Sequence, residues 1–214
     1  MLGEGRRRAC CAVLLILSAS CGSQPDPAPV LDPPHAALVL IIDVSAQYSV
    51  EEIARIDKAI GLAADQLGSD DDFAVLAFDA HPRWVLPFGR PRRERPAPGL
   101  LERSEEKIRP DIPSALAEGI QGFRSDPHAE TAGRKGCILI STGDSTGGVP
   151  ETLLEGATKE GITVSTVCTS SKGTFDAVAM SQIASFGLGR FYFTPSPQKV
   201  PQLVANESRK FLGK

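Results

Sequence analysis

Residues 37–49 read Ala37-Leu-Val-Leu-Ile-Ile-Asp43-Val-Ser45-Ala-Gln47-Tyr-Ser49. The first six are apolar without a break, and half of them are β-branched. An unbroken run of this kind reads as a strand covered on both faces, because a half-exposed strand would alternate. Asp43 ends the run and opens a polar stretch rich in hydroxyls. Ser49-Val-Glu-Glu52 is a capping box. Beyond it Ile53, Ile56, Ile60 and Leu67 keep helical spacing, and Gly68 supplies the stop.

The same alternation continues outward. Strands are predicted at 72–78, 83–88, 136–140, 162–167 and 190–193. Helices are predicted at 100–108, 112–123, 150–161, 175–186 and 198–212. The short polar connection before Arg83 suggests a hairpin, and Pro87 demotes that third strand to an edge. Strands alternating with helices give an α/β fold, a doubly wound, mostly parallel six-stranded sheet with helices on both faces. Such sheets place their sites at the carboxyl ends of the strands, where strand order reverses. That rim would hold residues 43–49, 141–146 and 169–172.

The chain has 214 residues, 42% hydrophobic and 23% charged, which suits one ordinary domain and excludes a disordered chain or a fibre. A net charge of −3 and only 6% aromatic residues argue against nucleic acid. Residues 1–21 read as an export signal: Arg6, Arg7 and Arg8 precede an apolar run at 9–17 too short to span a membrane. Ser18-Ala-Ser-Cys21 resembles a bacterial lipoprotein cleavage box, with Ser18 at the place of the usual leucine. The resemblance implies lipid on Cys21. An ordinary secretory signal, a twin-arginine signal and an uncleaved anchor are the alternatives. Pro25, Pro27, Pro29, Pro33 and Pro34 make 22–35 a semi-rigid tether, which at ~3.1 Å per residue reaches roughly 40 Å. The domain is then 36–214.

The domain resembles a von Willebrand factor A domain of the bacterial cell-envelope type. The carriers are Val39-Leu-Ile-Ile-Asp-Val-Ser45, Phe73-Ala-Val-Leu-Ala-Phe-Asp79, Ile108-Arg-Pro-Asp-Ile-Pro-Ser-Ala-Leu116, Gly161-Ile-Thr-Val-Ser-Thr-Val167 and Gly189-Arg-Phe-Tyr-Phe193. The resemblance implies an antiparallel third strand at the sheet edge and a metal-ion-dependent adhesion site for Mg²⁺ or Mn²⁺ at the rim. Mg²⁺ wants six oxygens and keeps some waters, so hydroxyls ligate it and carboxylates hold its waters. Here the motif is degenerate. Asp43 and Ser45 match it, Gln47 replaces a serine, Pro110 replaces a threonine and Thr142 replaces an aspartate. Asp111 fits the aspartate that follows the lost threonine, and Asp144 is close enough in the chain to add charge. The implied function is non-enzymatic binding of a protein partner in the envelope through Asp43, Ser45, Gln47, Asp111 and Thr142, with weak or no metal dependence. The implied location is a membrane-anchored lipoprotein, periplasmic or outer-surface, with secretion as the alternative.

Other constellations compete. An inert assembly scaffold using other surfaces is one. Gly143-Asp-Ser145-Thr-Gly147 fits a nucleophile elbow between strand and helix, which would make Ser145 a hydrolase nucleophile. All three histidines, His35, His81 and His128, precede it, so the usual later base is missing. His35 and His128 read as surface loop residues, and no Cys/His zinc spacing is present. Arg90-Pro-Arg-Arg-Glu-Arg-Pro96 is the one concentrated basic run and reads as a solvated loop, or as a contact for acidic lipid headgroups or an acidic partner; an antiparallel third strand, which the resemblance implies, would put it at the end opposite the rim. Trp84 reads as a lid on the edge strand or an anchor for a partner. Cys137 and Cys168 fall at opposite ends of neighbouring strands, too far apart for a disulfide, and are expected to be buried thiols.

Overall fold

A computed structural model describes residues 35–91, 95–170 and 174–214. The signal, Cys21, all of the tether except His35, residues 92–94 of the basic run, and residues 171 and 172 of the expected rim lie outside the described residues.

The chain forms β1 (Ala36–Asp43), α1 (Val50–Ala64), β2 (Asp72–Phe78), β3 (Pro82–Gly89), α2 (Ile112–Ser125), α3 (Pro127–Glu130), β4 (Arg134–Ser141), α4 (Glu151–Lys159), β5 (Ile162–Cys168), α5 (Thr174–Phe186), β6 (Leu188–Phe193) and α6 (Val200–Phe211). The strand order is β3-β2-β1-β4-β5-β6. Every pairing is parallel except β2 with β3, which places the antiparallel strand at an edge as expected.

All eight residues of β1 are buried, because β2 and β4 flank it and helices cover both faces. Side-chain alternation divides the core in two. Leu38, Leu40 and Ile42 pack with α1 and α6, and Val39 and Ile41 pack with α2 and α5. At 25 cal/mol per Å² of apolar surface, these two layers are the main source of stability. Ser49 caps α1: its Oγ accepts from the Glu52 amide at 3.2 Å, and Glu52 Oε2 accepts from the Ser49 amide at 2.8 Å. The helix ends at Ala64, four residues before the expected stop at Gly68.

The helix expected at 100–108 does not form. Its apolar content is only Leu100, Leu101 and Ile108, too little for a helical face. The segment is instead irregular and is held by Asp57 of α1, whose carboxylate accepts from the amides of Gly99, Leu100 and Leu101 at 2.7, 3.0 and 3.1 Å. The Ser104 amide bonds the Val44 carbonyl at 2.8 Å, so this strap runs beside the end of β1.

Trp84 acts as a lid: it sits over Gly122 of α2, and its Nε1 donates to Glu118 at 2.8 Å. Cys137 and Cys168 are free and buried. Burial pushes the Cys137 thiol up to about 12, which leaves it inert as a nucleophile. Among the described residues no helix is long and apolar enough to cross a membrane.

Candidate functional site at the switch point

From β1 the chain winds one way to β2 and β3, then returns to lay β4 on the other side. The carboxyl ends of β1 and β4 are therefore the switch point, and Asp43 and Ser141 stand there. Asp43 is fully buried. Its Oδ1 accepts from the Ser45 amide at 2.9 Å and its Oδ2 accepts from the Ser141 hydroxyl at 2.8 Å. Burial raises its pKa to about 6, against the pull of the Ser45 and Ser141 contacts. Below Asp43, the Tyr48 hydroxyl lies 2.5 Å from Thr169 Oγ1. Burial and the Asp43 charge push that phenol well above its ordinary value.

Gly143 makes the β4 exit possible. Its φ is +90°, and a Cβ there would lie 2.7 Å from the Asp176 carbonyl oxygen. The loop then turns Thr142 and Asp144 toward Gln47. The Gln47 amide bridges them: Thr142 Oγ1 donates to Gln47 Oε1, and Gln47 Nε2 donates to Asp144 Oδ2 at 3.2 Å. Asp144 is also taken by Arg109, whose Nε donates to Oδ1 at 2.8 Å.

The rim thus joins Asp43 to Ser141 and Ser45 below, and Gln47 to Thr142, Asp144 and Arg109 above. Asp111 stands apart from this network. It caps α2, accepting from the Ser114 amide at 3.1 Å and hydroxyl at 2.7 Å. Arg109 escaped the sequence reading, because nothing in the sequence distinguishes it from other basic loop residues. Beside the bridge lies a polar cleft of about 220 Å³ whose lining includes Gln47, Thr142, Asp144 and Asp176.

These residues do not fit a divalent cation. Asp43 is the sole carboxylate at the centre, and both its oxygens already accept from protein donors. Asp144 is neutralised by Arg109, Asp111 by its capping role is turned to α2, and Pro110 has no side-chain oxygen. Among the described residues the Ser45 hydroxyl is buried without a hydrogen-bond partner, and it is the one atom there that suits an ion. Hard cations need more oxygen and more negative charge than that.

Ser145 is occupied structurally. Its Oγ accepts from the amides of Ile112 at 3.1 Å and Gly147 at 3.4 Å, with no imidazole among its described partners. The basic run starts at the opposite end of the sheet, since β3 runs antiparallel to β2. There Arg90 Nη2 lies 3.0 Å from His128 Nε2. His35, in the segment before β1, and His128, in the short α3, are part-exposed as expected, but they meet: their ring centroids are 4.2 Å apart. Their separation of 93 positions hid this, because β1 and α3 meet only in the folded sheet.

A doubly wound sheet with one antiparallel edge strand and a hydroxyl-lined switch point defines a class of interaction domain. The von Willebrand factor type A domain profile matches residues 37–206, and the chain belongs to that family. Domains of this family are typically non-enzymatic interaction modules. Solved structures agree on the fold. An aerotolerance-related membrane protein from Bacteroides fragilis is 15% identical, TM-score 0.58, over 82% of this chain and 99% of that one. BatB from Bacteroides thetaiotaomicron is 18% identical, TM-score 0.62, over 84% and 100%. A von Willebrand factor type A protein from Catenulispora acidiphila is 21% identical, TM-score 0.66, over 85% and 43%. A search of curated protein sequences finds no match.

Proposed function

We propose that this chain is a protein-binding domain that engages its partner through the switch-point rim without a metal ion. The Gln47 bridge carries the reading. It closes the gap between the loops after β1 and β4 with hydrogen bonds, and Arg109 brings a positive group to the same edge. With its side chain 60% exposed, Arg109 offers an acidic side chain on the partner a charge-assisted contact. Asp43, Ser45 and Ser141 act from beneath as a rigid support, while Gln47 and Thr142 meet the partner and Asp111 serves the site only by capping α2.

Display from a bacterial envelope is part of the proposal. It rests on the lipoprotein-like segment ending at Cys21 and the proline-rich stretch 22–35. The fold shared with a Bacteroides membrane protein accords with it. A hydrolase reading is disfavoured by the two backbone amides that hold the Ser145 hydroxyl.

The test is capture from an envelope extract with the full chain as bait. Gln47→Ala combined with Arg109→Ala, both exposed positions, is expected to lose a partner that wild type retains in EDTA. Retention of every captured partner by that variant would reject the rim and favour an assembly scaffold using other surfaces. A Cys21→Ala chain is expected to leave the membrane fraction.

A further inference from the structure

We propose that His35, Asp72 and His128 form a binding site for a borderline transition-metal ion, of which Zn²⁺ is the type, at the end of the sheet opposite the rim. One nitrogen of each imidazole and one Asp72 oxygen all lie within 4.8 Å of one another. His35 Nε2 is 3.8 Å from Asp72 Oδ2, and His128 Nδ1 contacts the same oxygen. A tetrahedral Zn²⁺ with bonds near 2.0–2.2 Å wants its ligand atoms about 3.4 Å apart. The distances here bracket that value; His35 Nε2 also donates to the His128 carbonyl at 3.0 Å, so the ion would take the place of that contact and the His35 proton would shift to Nδ1.

The backbone holds all three in place. Asp72 opens β2 opposite Ala37, the Gly133 amide donates to the His35 carbonyl at 3.0 Å, and Asp126 caps the turn that carries His128 at 3.0 Å. The Asp72 side chain is only 5% exposed, and a buried carboxylate calls for cationic company. Two imidazoles and a carboxylate select Zn²⁺, Co²⁺, Ni²⁺ or Cu²⁺ over Mg²⁺, and three protein ligands leave a position for water. The length of β2 separates this site from the rim by about 20 Å.

Arg90 sets a competing state. Its Nη2 lies 3.0 Å from His128 Nε2, so without metal that nitrogen accepts and Nδ1 carries the proton toward Asp72. Metal binding at Nδ1 requires the neutral ring's single proton to move by exchange through solvent from Nδ1 to Nε2, with no net proton released. Two donors would then face each other, and Arg90 must withdraw. His35 is the last residue of the 22–35 stretch, so the ion would tie that residue to α3.

The test uses the untagged full chain with exposed thiols alkylated, titrated with Zn²⁺ and Co²⁺. Saturating Zn²⁺ is expected to raise Tm by about 5 °C or more, and Co²⁺ to give visible d–d bands. His35→Ala and His128→Ala are each expected to weaken binding about tenfold or more, Arg90→Ala to tighten it, and Asp43→Ala to leave it unchanged. Mg²⁺ is expected to do nothing. No Zn²⁺ binding at micromolar concentration would overturn the proposal, as would binding indifferent to both histidine variants. Binding lost in Asp43→Ala would place the ion at the rim and overturn it too. If His128→Ala fails to fold, His35→Ala, at the edge of the domain, still decides.

Discussion

The Ser141 hydroxyl donates to Asp43 Oδ2 at 2.8 Å, across the point where the sheet reverses its winding. This contact ties the ends of two central strands and leaves a carboxyl group in the driest part of the rim. Its charge is therefore expensive, and that has a measurable sign.

Asp43 has a folded pKa of about 6 against an ordinary 3.8. A carboxyl raised in this way stabilises the fold fully below its unfolded value, and the contribution fades as pH rises through 6. The loss is on the order of 3 kcal/mol. Asp43→Asn keeps an acceptor for the Ser45 amide and cannot ionise. Urea unfolding is expected to find the variant gaining on wild type between pH 4.5 and 7.5. An unchanged gap would show that the buried charge costs nothing.

The rim lacks oxygen and charge for a hard cation, so millimolar Mg²⁺ or Mn²⁺ is expected to leave Tm unchanged. Restoring the family's pattern should reverse this. The triple variant Gln47→Ser, Pro110→Thr, Thr142→Asp breaks the amide bridge and supplies two hydroxyls and a carboxylate. At a hundredfold excess over Kd, Mg²⁺ should add ~2.7 kcal/mol to that variant. Thermal melts with Mg²⁺ against EDTA check both halves.

Asp57 holds three consecutive amides of the strap at 99–101. Asp57→Ala leaves them without an acceptor and is expected to cost about 2–3 kcal/mol. Hydrogen exchange should accelerate at those amides before the sheet is affected. Equal acceleration throughout the domain would mean the strap is not a separate unit.

Gly143 turns the chain at φ +90° against the Asp176 carbonyl. Gly143→Ala meets both a left-handed backbone and a 2.7 Å contact, so a destabilisation of about 1–3 kcal/mol is expected. The same variant should lose partner capture, because Thr142 and Asp144 flank the turn. Capture at wild-type strength would separate the loop from the binding surface.

The sheet was legible in the chain because its central strands are unbroken apolar runs. Ala37–Ile42 and Ile138–Ile140 have no alternative to burial on both faces, and the Ser49 box marks its helix by local chemistry alone. The motif positions Asp43, Ser45, Gln47 and Thr142 were equally visible. What they do was not. Gln47 meets Thr142 and Asp144 across 95 and 97 positions, and Arg109 reaches Asp144 from 35 away.

The segment 100–108 departs from the helix its sequence predicts for a related reason. Its conformation is decided by Asp57, a residue on another element, and no local propensity encodes that. His35 and His128 make the same point at the other end of the sheet. The sequence by itself determined which segments had to be buried, and with that the fold and the place of its rim, since hydrophobic periodicity is local. Only the tertiary structure decided which polar side chains meet. Hydrogen bonds and ion pairs depend on distances of about 3 Å, and pairing of strands far apart in the chain sets those distances.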